Sequence, residues 1–278
     1  MQSVKAKKRV LGAVQTVFLC VVAVFFLVPL YLTITNAFKE SSAVMHAPMS
    51  LPIPPVFDGI KRILSNKSNN IFAMYRNSAI LMLFAVPINI VVSSLASYYI
   101  ARNKTRASRF LSIYFLAGLM VPYVIVYIPL SILIRLLGLS FSLPVLIFVF
   151  VSGGISFATF MYTNFIKSVP LELEEAAALD GAGKLFTFWK ILFPLLKPCT
   201  ATVVIFNGLS VWNDFMTPLL LGQVKTITVG IYTAIGPHST DWSLVFGYLL
   251  FAMLPVIILF LLMQKQFIAG LTAGAAKG

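Results

Sequence analysis

The chain has 278 residues, of which 59% are hydrophobic and 10% charged, against about a quarter charged in a soluble globular domain. A single water-soluble domain of this length has no way to hide so much apolar surface, which excludes an ordinary soluble enzyme or binding module. The 21 Lys and Arg against 8 Asp and Glu leave a net charge of +13, and the two cysteines, Cys20 and Cys199, stand far apart with no Cys/His cluster; a disulfide scaffold and a structural zinc site are thereby excluded.

A helix needs about 20 apolar residues to cross roughly 30 Å of hydrocarbon. In chain order six stretches meet that length: Val10–Ile34, Asn77–Ile100, Phe110–Ile134, Leu143–Tyr162, Cys199–Leu221 and Leu244–Met263. They fill about half the chain and hold a single ionisable residue of the Asp, Glu, Lys, Arg and His kinds, Asp214. The runs are continuously apolar rather than alternating, which argues against barrel strands. The expectation is an all-α polytopic membrane protein with six transmembrane helices. The first run follows Lys5, Lys7, Lys8 and Arg9, yet it is longer than a signal-peptide core and lacks a small-residue cleavage site, so it reads as a retained anchor.

Six crossings place both ends on one side, and basic residues choose that side. The N-terminal tail (1–9), the segment 102–109, residues 163–198 and the tail 264–278 together carry 14 basic residues, against 7 in the opposite loops, 5 of which lie in residues 35–76. N and C termini are therefore expected in the cytoplasm, and the positive charge reads as a topology signal rather than a nucleic-acid footprint. The domain plan is a cytoplasmic tail (1–9), a first transmembrane helix (10–34), an extracytoplasmic loop (35–76), a five-helix core (77–263) and a cytoplasmic C-terminal tail (264–278). Residues 35–76, rich in Pro, Ser and Asn, read as an irregular external cap, and residues 222–243 as a Gly/Thr-rich external loop. His46 and His238 fall in these loops as ordinary solvated residues.

The most patterned loop is 168–198, on the cytoplasmic side. Pro170 suits a helix start and Glu172, Glu174 and Glu175 lie where the helix dipole favours negative charge. Ala176, Ala177 and Ala178 favour helix with little bulk. Gly181 and Gly183 then allow a sharp turn, and a second helical piece, Leu185–Phe193, is limited by Pro194. Such a bent pair either docks into another protein or lies in the membrane interface as an anchor. A P-loop is excluded, because Ala178 stands where its first Gly belongs and Leu185 where its Ser or Thr belongs.

Residues Glu175–Pro194 (EAAALDGAGKLFTFWKILFP) resemble the EAA loop of ABC-importer permeases. Glu175, Ala176, Ala177, Gly181, Ile191 and Pro194 fall at that motif's spacing, and Asp180 and Ala182 meet the EAAxxDGA form of sugar importers. Phe193 departs from the motif's Leu. The segment Val211-Trp212-Asn213-Asp214-Phe215 with Pro218-Leu219-Leu220 is similar to the W-N-[DE]-F…P-L segment of MalG-like carbohydrate permeases, as is the ending Gly270–Gly278.

The resemblance implies an ABC type I importer permease fold in the bacterial cytoplasmic membrane, importing a carbohydrate by alternating access. It implies a MalF-like second permease, two ABC ATPase subunits and an extracytoplasmic sugar-binding protein as partners. ATP and magnesium belong to the partner ATPase; no cofactor, catalytic residue or metal is expected in this chain. Docking is assigned by resemblance to Glu174, Glu175, Ala176, Ala177, Asp180, Gly181 and Ala182, with Phe188 and Pro194 in the second piece. The resemblance also implies that the C-terminal tail reaches between the ATPase subunits and that the loop 222–243 contacts the binding protein. The alternative is an ion-gradient-driven secondary transporter, for which Asp214 is the lone support.

Asn207, Ser210, Asp214 and Thr217 follow spacings of 3, 4 and 3 and are expected on one face of the fifth span. They border either the sugar pathway or a permease interface, together with Trp212 and Asn213 beside them. Tyr123 and Tyr127, one turn apart in the third run, are either sugar-facing or packed tyrosines. Ser152, Ser156, Thr159 and Thr163 form a small-residue face suited to helix packing.

Overall fold

The structure, a computed structural model, describes residues 2–139, 142–236 and 239–275, with side chains from Gly12 to Leu262 and at Gln264. His238 and residues 276–278 of the tail lie outside the described residues. The described chain is helical: α1 (Gln2–Asn36), α2 (Ser41–His46), α3 (Asp58–Ser65), α4 (Ile71–Arg102), α5 (Arg106–Gly118), α6 (Tyr123–Leu136), α7 (Leu143–Lys167), α8 (Glu172–Leu179), α9 (Lys184–Thr187), α10 (Phe193–Leu195), α11 (Lys197–Asn213), α12 (Ile227–Thr233) and α13 (Trp242–Ala275). Wide five-residue π-turns occupy Phe188–Leu192 and Pro218–Gly222.

Among the described residues four helices are continuous, long and apolar enough to span a membrane: α1, α4, α7 and α13. The third and fifth apolar runs depart from the expected straight spans. The third breaks between α5 and α6 with a bend of 104°, where Pro122 supplies no amide and disfavours helical geometry in the residue before it. The helix preceding the fifth run meets α11 at 77°. Counting each bent pair as one crossing gives six. Pro194, expected to stop the second loop helix, instead sits inside it at the start of α10; the wide turn before it lets the Phe193 amide reach the Phe188 carbonyl, and the chain bends only after Leu196.

One structural unit comprises residues 1–71 and 231–253. Along α1 the side chains of Phe18, Phe25, Phe26 and Val24 are all largely exposed, an apolar surface that belongs in hydrocarbon rather than water. Past its end, buried Lys39 donates from Nζ to Asn36 Oδ1 (2.9 Å) and to the carbonyls of Ala47 (2.9 Å) and Pro48 (3.0 Å). This folds back the segment that the sequence reads as irregular, and α2 and α3 give it helical content. Gly59 on α3 lies so close to Ser243 that a Cβ would meet its carbonyl oxygen at 2.7 Å. Arg62 reaches Asp241 Oδ2 at 2.7 Å and Ser243 Oγ at 2.8 Å. Asp241 also caps α13, Oδ1 accepting from Ser243 Oγ (2.7 Å) and from the Leu244 amide (3.3 Å).

The other unit comprises residues 72–230 and 254–278. Its core is built where α4, α6, α7 and α11 meet, from Leu81, Ala85, Tyr127, Leu146, Tyr162 and Val203. The core continues without interruption into the loop helices through Phe188, Leu192 and Leu196, each almost fully buried. Tyr162 closes it by donating to Thr200 Oγ1 at 3.0 Å. Ser156 packs closely on α5, where a Cβ on Gly118 would meet its Oγ at 2.3 Å.

Partial burial would raise the Asp241 carboxyl. The hydrogen bonds from Arg62, Ser243 and the Leu244 amide, with the guanidinium charge, outweigh it and hold the group below the usual carboxylate range. A lowered folded pKa means the stabilisation is present above the unfolded value and fades as pH falls through the folded one. Amide protection factors at the start of α13, exchange rates divided into the intrinsic rate at each pH, are expected to fall on acidification below about pH 4, and Asp241→Asn is expected to flatten that dependence.

Candidate functional site

Two places gather the residues singled out by sequence. The first is the elbow between α8 and α10. Glu172, Glu174 and Glu175 occupy the first turn of α8, where carboxylates complement the dipole. The helix ends in a Schellman closure: the Ala182 amide bonds the Ala177 carbonyl (2.9 Å) and the Gly181 amide that of Ala178 (3.1 Å). Gly181 adopts φ +82°, which favours glycine. Gly183, at φ −73° and ψ 156°, is ordinary extended backbone and needs no glycine.

The expected docking residues divide in two. Glu175, Ala176, Asp180, Gly181 and Pro194 are exposed, and Ala182 is half-buried. Leu179 is 90% exposed, with Leu185 and Phe186 also outward. A shallow hollow of about 460 Å³ lies beneath the turn, lined by Asp180, Gly181, Ala182, Phe186 and Ile191 among others. Three residues face inward instead. Ala177 is buried. Phe188 is fully buried against Tyr98, Trp189 and Phe193 at ring separations of 5.2, 4.8 and 6.0 Å. Glu174 accepts from Tyr98 Oη at 2.8 Å and from Arg102 Nε at 2.7 Å. Phe188 and Glu174 therefore hold the elbow from behind rather than offer a surface.

The second place is a cavity of about 330 Å³ between α4, α6, α7 and α11, within the range of small-molecule sites. Its polar lining is Asn89, Tyr123, Asn207, Ser210 and Asp214. Asn207 Nδ2 donates to Asn89 Oδ1 (2.9 Å), whose Nδ2 donates to the Val151 carbonyl (2.8 Å). Gly153 and Gly154 bring α7 close: a Cβ on Gly154 would meet Asn89 Nδ2 at 2.9 Å and Asn207 Oδ1 at 3.1 Å. The rings of Tyr123 and Tyr127 meet edge to face at 5.1 Å and 82°. The Tyr123 hydroxyl is buried and has no hydrogen-bond partner among the described residues.

The expected helical stripe Asn207–Ser210–Asp214–Thr217 does not form as one helix face. Helix α11 stops at Asn213, and Asp214 turns extended (φ −72°, ψ 123°). Its carboxylate accepts from the Thr217 amide (3.0 Å) and the Thr217 hydroxyl (2.5 Å), and its carbonyl accepts from Thr228 Oγ1 (3.0 Å). Thr217 also reaches Tyr127 Oη at 3.3 Å. Asp214 breaks a helix and caps the chain that follows. Thr217 and Tyr127 are buried behind the cavity, Trp212 packs elsewhere against Tyr75 at 6.2 Å, and Asn213 is exposed outside the lining.

Asn89, Arg102 and Tyr98 were not singled out by sequence. A signal existed: Asn89, Ser93 and Ser97 follow 4 and 4 along α4, and each is buried.

A family model described as "Binding-protein-dependent transport system inner membrane component" matches residues 90–271, reaching from the cavity through the elbow to α13. The chain belongs to this family. It is 34% identical over 268 residues to the multiple sugar-binding transport system permease protein MsmG of Streptococcus mutans, covering 94% of this chain and 95% of that one. It is 32% identical to the melibiose/raffinose/stachyose import permease protein MelC of Bacillus subtilis, covering 95% and 96%. Among solved structures, a chain of a bacterial ABC transporter involved in the import of the acidic polysaccharide alginate matches with a TM-score of 0.77 at 22% identity, covering 92% of this chain and 96% of that one. The fold of this inner-membrane component is thus that of an ABC-importer permease, a multi-pass protein of the cytoplasmic membrane.

In this permease, Gly154→Ala is expected to disrupt the Asn89–Asn207 pair and lower the thermal midpoint in detergent. Gly208→Ala, whose Cβ would find only Met82 Sδ at 3.8 Å, is expected to leave it unchanged. Asp214→Ala is expected to cost about 1 kcal/mol, as loss of a cap does, while Asp214→Asn, which keeps an acceptor, is expected to cost less in the same melt.

Proposed function

We propose that this chain is one of two permease subunits of an ATP-driven importer that takes oligosaccharides from an extracytoplasmic binding protein. The observation that carries the reading is the elbow: Leu179, Leu185 and Phe186 stand outward on either side of its turn, around the EAA sequence. Exposed apolar side chains grouped on a polar loop mark an interaction surface. The partner that fits is an ABC ATPase subunit, with ATP and magnesium bound there and not here. A MalF-like second permease completes the pathway, and both termini and the elbow face the cytoplasm, in line with the distribution of basic residues. The carbohydrate class is supported by relatives named for multiple sugars, for melibiose, raffinose and stachyose, and for arabinooligosaccharides.

Within this reading the cavity borders the sugar's route. The Tyr123 ring and its unpartnered hydroxyl, with Ser210 and the paired Asn89 and Asn207 amides, offer what a sugar ring needs: an aromatic face and several hydrogen-bonding groups. Asp214 contributes shape through its turn. An ion-gradient mechanism would need a carboxylate free to take up a coupling ion, whereas both Asp214 oxygens are engaged by Thr217.

The test is affinity purification of the tagged chain in mild detergent, with ATPase subunits scored by immunoblot, and uptake of radiolabelled raffinose and maltotriose by cells. Leu179→Asp changes an exposed side chain and is expected to keep the chain folded, lose the ATPase and abolish uptake. Retention of the ATPase with unchanged uptake of whichever probe the parent takes up would overturn the docking assignment.

A further inference from the structure

The charged pair behind the elbow has a geometry that surface pairs lack. Arg102 is the last residue of α4 and Glu174 lies in the first turn of α8. Their side chains are only 15% and 10% exposed. Both Glu174 oxygens are used, one by Arg102 Nε and one by Tyr98 Oη, and Arg102 Nη2 also donates to the Val169 carbonyl at 3.0 Å, in the segment leading into α8. One turn back from Arg102, the Tyr98 ring packs on Phe188, beyond the turn. The final turn of α4 thus grips both arms of the elbow. Exposed ion pairs are mobile and weak. A shielded one whose carboxylate has both oxygens bonded fixes geometry, and removing either member leaves the other uncompensated.

The same helix carries the cavity's lock. Asn89 lies 13 residues before Arg102 on α4, about 20 Å along the axis. The intervening residues contain neither Gly nor Pro, the commonest causes of a sharp kink, and α4 runs through them unbroken. Ser97 Oγ bonds the Thr159 carbonyl of α7 on the way (3.0 Å).

We propose that Arg102, Glu174 and Tyr98 form the joint that makes α8 and the inner half of α4 one rigid body, so that displacement at the elbow reaches the Asn89–Asn207 contact at the cavity. They are positioning residues: they touch neither sugar nor nucleotide. The inference rests on the reading that the elbow receives an ATPase subunit.

The experiment places nitroxide labels at Glu172→Cys on α8 and Val92→Cys on α4, both exposed, in a Cys20→Ser, Cys199→Ala background. Distances are measured by double electron–electron resonance in the purified complex, nucleotide-free and with ATP plus vanadate. The unsubstituted joint is expected to give one narrow distance that is the same in both states. Arg102→Met and Glu174→Gln are expected to lose it, giving broad, state-dependent distributions while the ATPase still co-purifies. The exchange Arg102→Glu with Glu174→Arg is expected to narrow the distribution again, and Tyr98→Phe to broaden it least. A joint that survives either single substitution unbroadened, or a parent distance that itself changes with nucleotide, overturns the proposal. Absence of any ATPase from the unsubstituted preparation overturns the proposed function instead; a nucleotide-free distance that narrows only when the pair is intact then still supports the joint.

Discussion

Hydrocarbon supplies no hydrogen bonds, so every interruption of a spanning helix must be closed by the protein itself. That constraint organises the cavity end of the bundle. When α11 stops at Asn213, Asp214 closes the break with two bonds to Thr217, and Thr228 returns to the Asp214 carbonyl. When α4 and α11 each bring an amide inside, the two amides bond each other and the Val151 carbonyl. Broken helices buried among neighbours are how transporters line a solute pathway with polar groups, and the cavity lies against such a break. At the cavity itself the hydroxyl left without a partner among the described residues is that of Tyr123, and it lies where a solute is expected.

A second consequence concerns the elbow. Its outward face sets Leu179, Leu185 and Phe186 among exposed Glu175 and Asp180, and its inward face holds the aromatic core and a shielded ion pair. Phe188 extends the bundle's core into the loop helices, which makes the elbow a projection of the bundle rather than an appendage. In the proposed reading this surface receives force and needs a firm backing, which the contacts of Tyr98, Arg102 and Phe188 would supply.

Much of this was legible from residue patterns, and the failures have physical causes. Continuous apolar length located the four long spanning helices, and six crossings when each bent pair counts as one, because burial in lipid tolerates little else. Length says nothing about straightness, so neither the 104° bend at Pro122 nor the stop at Asp214 shows in the apolar runs. In the fifth run a 3-4-3 spacing suggested a stripe, yet Asp214 prefers to bond backbone nearby and ends the helix that the spacing presumes. The elbow's turn was readable at Gly181, whose φ is positive, and over-read at Gly183, whose φ is not. The partition of the EAA residues into outward Glu175 and inward Glu174 and Phe188 needed the position of α4. Arg102 carried no local motif, and only the fold brings it beside residue 174, 72 positions later.

The central claim, that the elbow is where a separate nucleotide-hydrolysing subunit drives this bundle, is tested most directly by photocrosslinking in native membranes. A benzophenone side chain placed at residue 179 reports its nearest neighbour without perturbing the joint behind it. The account predicts an adduct with an ABC ATPase subunit, identified by mass spectrometry. Adducts solely with lipid, or with another integral membrane chain, would contradict it.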